Sequence, residues 1–185
     1  KWTMGIKRDV DENNLKQAYL QIGKDVEKIK SIVTASGIEI GEITIDPINA
    51  YPVYDGNGVV KNYSVSQNVK IISKKIDSVE KMALNPTELL DNGIIPQTSD
   101  LGYFVSNLSD IKRELAGDAT IDAGKRAEEI AKSTGGKLGK ITSAKLGVIQ
   151  ITEPFSNEIS DYGVYNLASR KKEIKATVNI TYMLK

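Results

Sequence analysis

The feature that most constrains the fold of this chain is a resemblance between its two halves. When the sequence is shifted by 98 positions, Gly37 and Gly41 fall on Gly135 and Gly139, and the apolar residues around them fall on apolar residues. The matched apolar pairs are Ile40 with Leu138, Ile43 with Ile141, Ile29 with Ala127, Ile32 with Ile130 and Val33 with Ala131. Self-similarity at a fixed period is the signature of a repeated structural unit. The sequence therefore predicts one unit built twice.

Each half contains a long helix that ends at a glycine. In the first half, apolar residues recur at spacings of three and four, which is typical of one buried helix stripe, and Gly37 supplies the helix stop. This stripe consists of Leu15, Ala18, Tyr19, Ile22, Val26, Ile29 and Val33. In the second half, Ser109 or Asp110 begins a helix that runs to about Thr134, with alanine at positions 119, 123, 127 and 131. Because alanines at this spacing lie on one helix face, we expect that face to pack closely on a sheet.

Strands are predicted before and after these helices. Residues 2–8 and 101–107 read as short strands, and alternating apolar residues predict further strands near 43–45, 63–71, 140–151 and 174–184. The residues from Asp55 to Gly58 favour a hairpin turn, since all four tolerate a positive φ. A helix over residues 77–91, interrupted at Pro86, joins the halves. We therefore predict an α+β fold of two tandem βαββ units, at about 1–75 and 100–185, joined by a broken linker helix at 76–93. The whole chain 1–185 is then a single internally duplicated domain whose antiparallel sheet is covered by long helices.

Composition excludes several classes of function. The chain has no cysteine and no histidine, so zinc sites built on these residues, thiol nucleophiles and histidine bases are ruled out. Its formal charge is only +1, which argues against nucleic acid as a partner. No apolar run approaches the roughly 20 residues that a membrane span needs. We predict no catalytic, cofactor-binding or metal-binding residues and no cofactor.

Three short motifs have simpler structural interpretations. The glycine-rich segment from Gly135 to Thr142 departs from the phosphate-binding loop pattern and follows a helix, so it is interpreted as a helix end. Ser78 and Lys81 match S-x-x-K without the companion motifs of penicillin-recognising enzymes. Asp55 and Asn57 lack the remaining ligands of a calcium loop and are interpreted as a turn.

The helix and glycine turn of the second half resemble a known family. The pattern Ala119-x3-Ala123-x3-Ala127-Glu128-x2-Ala131-x3-Gly135-x-Lys137-Leu138-Gly139-Lys140-Ile141 is similar to that of the SIMPL-domain family, which includes YggE-like bacterial periplasmic proteins and a Brucella periplasmic antigen. The segments 147–151 and 174–182 resemble the C-terminal hairpin of this family. The resemblance spans nearly the whole chain and consists of packing residues and glycines. It implies an exported bacterial domain of undefined biochemical activity, with no catalytic residues to carry over.

Three functions remain open at this stage. We expect first a non-enzymatic structural or interaction protein of the cell envelope, in the periplasm or otherwise outside the cytoplasm, held there by an anchor upstream of Lys1 if one exists. It would form homo-oligomers and bind other envelope proteins. The alternative is a small-ligand-binding module with a pocket between the two repeats. The third, an enzyme using Glu39, Glu42 or Asp46, is the least favoured, because acidic residues beside a strand usually mark a solvated sheet face.

Overall fold

The computed structural model describes all of residues 1–185, and the chain divides into two compact units, Lys1–Gly102 and Tyr103–Lys185. Unit 1 contains the strands β1 (Trp2–Val10), β2 (Ile43–Ile45), β3 (Asn49–Tyr54), β4 (Val60–Ile71) and β5 (Pro96–Leu101), and the helices α1 (Leu15–Ala35), α2 (Ile76–Leu84) and α3 (Thr87–Asp91). Unit 2 contains α4 (Leu108–Ser133), β6 (Leu138–Leu146), β7 (Gln150–Thr152), β8 (Glu173–Lys175) and β9 (Val178–Leu184).

The sheet of unit 1 is antiparallel throughout and has five strands. Its order is β2-β4-β1-β5, and β3 pairs with the first part of β4. The β3–β4 hairpin closes on the predicted turn, where Gly58 takes a φ of 78°. β3 contains Pro52, which has no N–H to donate and is therefore tolerated only at a sheet edge or a bulge.

Helix α1 packs on this sheet through the stripe predicted from its sequence, except that Tyr19, which was predicted to belong to the stripe, is exposed. Ile22 and Ile29 have no exposed surface, and Val26 and Val33 are buried beside them. The facing side chains come from alternate positions of the two central strands, such as Met4 on β1 and Val69 on β4. Since burying an aliphatic side chain of this size contributes about 1.5–3 kcal/mol, this layer holds unit 1 together.

The broken helix forms as predicted and lies within unit 1. α2 ends at Leu84, and Pro86 precedes α3 because its ring cannot continue the helix of the preceding turn. Gly93, with a φ of 74°, then ends α3. Leu89 and Ile94 are buried at this position and anchor the segment to the core.

Unit 2 consists of two separate strand pairs and one long helix. α4 packs on the antiparallel pair β6–β9, and β7–β8 forms a second antiparallel pair. The alanines at positions 119, 123 and 127 are half-buried and Ala131 is fully buried, so the alanine face of α4 is the covered one, as predicted. The close approach is visible at Gly124, where an added Cβ would lie 3.3 Å from the hydroxyl of Tyr182 on β9.

The α+β class and the antiparallel sheets are therefore confirmed, while several strand positions are corrected. The strand predicted at 101–107 lies earlier, at β5, and the strand predicted at 140–151 divides into β6 and β7. The last predicted strand divides into β8 and β9, and β3 was not predicted at all. The correspondence of the two halves as repeated βαββ units stays a prediction.

Candidate functional site

The glycine-rich segment after α4 forms a helix end, as its sequence predicted. Gly135 takes a φ of 75°, and the N–H of Gly136 donates to the carbonyl of Ala131 at 2.9 Å. This bond satisfies a carbonyl that the last helical turn leaves without a partner. The chain then enters β6 directly, so the segment is built as a connection from helix to strand.

The other two short motifs also make local structural contacts. The Oδ1 atom of Asp55 accepts hydrogen bonds from the N–H groups of Asn57 at 2.8 Å and Val59 at 2.9 Å, which confirms the turn interpretation. The hydroxyl of Ser78 donates to the carbonyl of Ser36 at 3.3 Å, a contact with the end of α1. No group of three or more acidic side chains is placed to hold a metal ion.

The three carboxylates that were considered for catalysis hold the backbone around β2. Glu39 and Glu42 form a reciprocal capping box on a short 3-10 helix, and the hydrogen bond from the Glu39 N–H lowers the pKa of Glu42. Asp46 lies 2.7 Å from the Nζ atom of Lys70, and this bond lowers the pKa of Asp46. A lowered pKa keeps a carboxyl group ionised, which is opposite to the change that a general acid needs.

A buried ion pair that the sequence did not reveal joins α1 to β1. Asp25 is 4% exposed, and its Oδ2 atom accepts hydrogen bonds from Nη2 of Arg8 at 2.6 Å and from Nε at 3.0 Å. Its Oδ1 atom accepts from Gln21 at 3.0 Å. Because both oxygens are occupied, this buried charge is satisfied and has a structural role. A shallow cavity of about 440 Å³ lies beside Arg8 and Gln21.

A second cavity of unit 1 lies between the end of α1 and the broken helix. Its volume is about 420 Å³, and apolar side chains such as Trp2, Met82 and Leu89 line it. The indole N–H of Trp2 donates to the hydroxyl of Ser99 at 2.9 Å, which fixes the ring that forms one wall. Both cavities thus belong to unit 1. The sequence offered no indication of either, since their walls come from segments far apart in the chain.

Unit 2 buries few apolar side chains. Among the fully buried hydrophobic residues, only Ala131 and Ile151 belong to this unit. Large apolar side chains are exposed along the helix, the β6–β9 pair, the β6–β7 connection and the β7–β8 loop (residues 153–172); they include Ile121, Ile130, Ile141, Leu146, Val148, Phe155, Ile159, Tyr162, Met183 and Leu184. Unit 1 exposes large apolar side chains in similar number, so it is the degree of exposure that distinguishes unit 2. Phe155, Ile159 and Tyr162 of its β7–β8 loop are each more than three-quarters exposed, which indicates a surface that another molecule can cover.

The β7–β8 loop holds a fixed conformation that directs aromatic side chains outward. Phe155 has a φ of 63°, which is uncommon for a bulky residue, and its N–H donates to Oε2 of Glu173 at 3.1 Å. That bond is also the main reason that the pKa of Glu173 is lowered. The side chains of Phe155 and Tyr162 are 95% and 96% exposed. Strained backbone of this kind persists only where the surrounding structure enforces it, and it often marks a functional segment.

Polar contacts tie the base of this loop to unit 2. The side chain of Gln150 donates to the carbonyl of Ser160 at 2.8 Å and accepts from the N–H of Val164 at 2.8 Å. Lys172 is the last of three consecutive basic residues, Arg170 to Lys172, and it donates to the carbonyl of Ser169 at 2.8 Å. Partial burial lowers the pKa of the Lys172 amine. The loop is therefore clamped at its base, and its apolar tip stays in solvent.

Comparisons with known proteins agree with the resemblance seen in the sequence. A search of curated proteins gives no match. No helix of the structure combines the length and apolar character that crossing a bilayer requires. A family described as SIMPL, protein of unknown function (DUF541), matches residues 1–182, nearly the full length of the chain. On this match, the chain belongs to the SIMPL (DUF541) family.

Proposed function

We propose that this protein is a non-enzymatic structural or interaction domain of the cell envelope that acts by associating with itself and with other envelope proteins. The observation that carries the proposal is the apolar surface of unit 2. Phe155, Ile159 and Tyr162 are each more than three-quarters exposed, at 95%, 79% and 96%. Tyrosine and phenylalanine are enriched where proteins meet, because they bury large apolar areas with few rotatable bonds.

The side chains available for chemistry support a non-enzymatic role. The chain lacks cysteine and histidine, and Asp25, Glu42 and Asp46 are engaged in capping bonds or ion pairs. A panel of hydrolase and oxidoreductase substrates tests this part of the proposal. Turnover that disappears when Asp46 is replaced by asparagine, in a variant that stays folded, would contradict it.

Self-association is tested by size-exclusion chromatography with light scattering over a hundredfold range of protein concentration. We expect a mass that rises toward an integer multiple of the chain mass. Substituting serine for Phe155 and Tyr162 together removes most of the exposed aromatic surface of the loop, with Tyr54→Ser on the β3 edge as the control at another exposed tyrosine. A strict monomer at every concentration would count against the proposal.

We propose an extracytoplasmic location, either free in the periplasm or held by an anchor upstream of Lys1. The resemblance to exported proteins supports this location, and the absence of cysteine is compatible with an oxidising compartment. Fractionation of cells that express the natural gene, with cytoplasmic and periplasmic marker proteins, provides the test. Recovery with the cytoplasmic marker alone would contradict it.

We also propose that the two halves derive from one βαββ unit. The order α1, β2, β4 in unit 1 parallels the order α4, β6, β9 in unit 2, with β2 paired to β4 and β6 paired to β9. In each case the helix ends at a glycine of positive φ, Gly37 or Gly135. An experimental structure in which these two sets of elements do not superimpose would remove this proposal.

A second candidate function, small-ligand binding, is favoured by the cavity beside Trp2. This cavity lies within unit 1, whereas the ligand site expected from the sequence was a pocket between the repeats. About 420 Å³ is enough for a small apolar molecule, and Met82 can be replaced to fill it. A thermal-shift screen tests the idea: a ligand that stabilises the natural protein should lose its effect in Met82→Trp. A screen without any stabilising compound would argue against this candidate.

A further inference from the structure

One edge of the β6–β9 sheet pairs with no other strand. β9 is bonded to β6 along one side only. Thr177 accepts from the N–H of Gly147, and Lys185 exchanges two bonds with Lys137, so the odd-numbered residues direct their backbone groups toward β6. Because these groups alternate in direction along a strand, the even-numbered residues direct theirs to the open edge. Those residues are Val178, Ile180, Tyr182 and Leu184.

β9 lacks the features that protect the other strand edges. β3 contains Pro52, β5 begins at Pro96 and contains Asp100, and β2 has only three residues. β6 carries Lys140 and Lys145 and has two irregularities of register. Charges, prolines, short strands and bulges are the usual barriers to pairing between exposed edges. β9 runs for seven residues, VNITYML, with no charge and no proline.

We propose that β9 pairs antiparallel with β9 of a second copy of this chain, about a two-fold axis at Thr181. The inference rests on the self-association proposed above and assigns it to the open edge of β9, in place of the exposed side chains of the β7–β8 loop. In this register Ile180 lies opposite Tyr182 of the other copy, and Val178 lies opposite Leu184. All four outward-directed residues then exchange hydrogen bonds in both directions, for a total of about eight bonds.

The side chains of β9 suit this symmetric pairing. Thr181 meets its own copy at the axis, and each Ile180 meets a Tyr182, and both kinds of pair are favourable across antiparallel strands. In a two-fold symmetric interface every contact between two different residues occurs twice, so the repulsion of any like-charged pair would also occur twice. β9 contains no charged residue that could clash. The strand is therefore complementary to itself, and it offers no charge pattern for a different partner to recognise.

The pairing also corrects a weakness of unit 2. A two-stranded sheet is marginally stable in water, while three or more strands with one covered face are stable. Joining two copies makes a continuous sheet β6–β9–β9–β6, in which each β9 becomes an interior strand and each copy supplies its own α4 as a cover. Such an interface is closed and gives a dimer.

Charge substitution at the axis tests the proposal. Thr181 is exposed, so Thr181→Lys should fold, yet in the dimer it places two lysines on the same sheet face with their Cβ atoms about 5 Å apart. Because the two like charges repel each other across the axis, we expect the dimer dissociation constant to rise about threefold or more. Thr181→Glu should weaken the dimer similarly, and a mixture of the two variants should restore it. Ser143→Lys, also exposed and placed opposite Thr181 on β6, is the matched control and should leave the constant unchanged.

Cross-linking tests the register directly. The chain has no cysteine, so Thr181→Cys introduces a single thiol. Directly opposed residues that are not hydrogen-bonded have Cα atoms about 4.5 Å apart, which lies within the range of roughly 4.4–6.8 Å that a disulfide spans. We expect Thr181→Cys to form a covalent dimer on mild oxidation, and Ser143→Cys to stay a monomer on a denaturing gel.

The outcomes separate this inference from the function on which it rests. A natural chain that stays a monomer at every concentration removes both. An assembly that survives Thr181→Lys and leaves Thr181→Cys without a cross-link keeps self-association and overturns the β9 pairing. Assembly that is lost in Phe155→Ser but kept in Thr181→Lys assigns the interface to the β7–β8 loop and also overturns it.

Discussion

Replacing one isoleucine in α1 and one in α4 compares how deeply each of these two side chains is buried. Ile29 of α1 has no exposed surface, whereas Ile130 of α4 is 65% exposed. Ile29→Ala loses the transfer free energy of the deleted carbons and leaves a cavity in a packed layer, so we expect a cost of about 3–4 kcal/mol. Ile130→Ala removes atoms that already contact water and gains about 0.4 kcal/mol of helix propensity. We therefore expect Ile130→Ala to change the free energy of unfolding by less than about 0.5 kcal/mol.

Urea denaturation with two probes provides the assay. Trp2 is the only tryptophan and is 1% exposed in unit 1, so its fluorescence reports the unfolding of that unit. Far-ultraviolet circular dichroism follows the helices of both units. For a urea m-value of about 2–3 kcal/mol/M, Ile29→Ala should lower the fluorescence midpoint by about 1–2 M. Ile130→Ala should leave the midpoints of both probes nearly unchanged.

Two results would refute this reasoning. A loss in Ile130→Ala as large as that in Ile29→Ala would mean that the outer face of α4 is covered in solution, contrary to its exposure in the structure. A loss below about 1 kcal/mol in Ile29→Ala would mean that the α1 layer relaxes freely and is not a tightly packed core. Measurements at low protein concentration keep any dimer dissociated, so that both variants are compared as single chains.

Three further predictions follow from particular contacts. Arg8→Ala should lower the free energy of unfolding by about 1–2 kcal/mol in urea denaturation, because it leaves Asp25 buried without its cation. The loss should be smaller in a chain that already carries Asp25→Leu, and equal losses in both backgrounds would contradict a coupling between the two residues. Gly139→Ala should destabilise unit 2 by about 1–3 kcal/mol, since its Cβ would lie 2.8 Å from a backbone oxygen of β9. Gly41→Ala, in unit 1, meets no atom within 4 Å and should be tolerated in the same assay. The pKa of Asp46 is lowered from 3.8 in the folded chain, so the ionised Asp46 stabilises the fold fully above about pH 3.8. This contribution to stability is lost as the pH falls through the lower pKa of the folded state. An NMR titration of the carboxyl groups that finds an unshifted pKa for Asp46 would contradict this.

Local sequence patterns predicted the elements whose cause is local. The stripe through Ile22 and Ile29 fixed the buried face of α1, and Pro86 located the break between α2 and α3. β3 was missed because it contains Pro52 and shows no clear alternation. It forms because β4 is long enough to pair with two strands in succession, which is a tertiary cause.

The features proposed for function depend on which elements meet in space. In the sequence, Asp25 is a polar residue within an apolar helix stripe. Its structural role becomes clear only from its contact with Arg8, which lies 17 positions earlier in the chain. Alternation along β9 shows which side chains share a face, but it does not reveal that one edge of the strand has no neighbour. The exposure of Phe155 likewise follows from the backbone conformation of its loop. The amino-acid composition could therefore exclude classes of catalytic and metal-binding sites, whereas the candidate interaction surface could be identified only from the folded structure.

The position of β1 has a consequence for how unit 1 is made. The first strand of the chain lies inside the sheet, with Trp2 opposite Ile71 on one neighbour and opposite Leu101 on the other. Contacts over such long sequence separations are slow to form, because the intervening chain must first be closed into a loop. During synthesis from the amino end, the edge of β1 that pairs with β5 therefore remains open until β5 has emerged. We expect fragments that stop short of β5 to bind chaperones or to aggregate through this open edge.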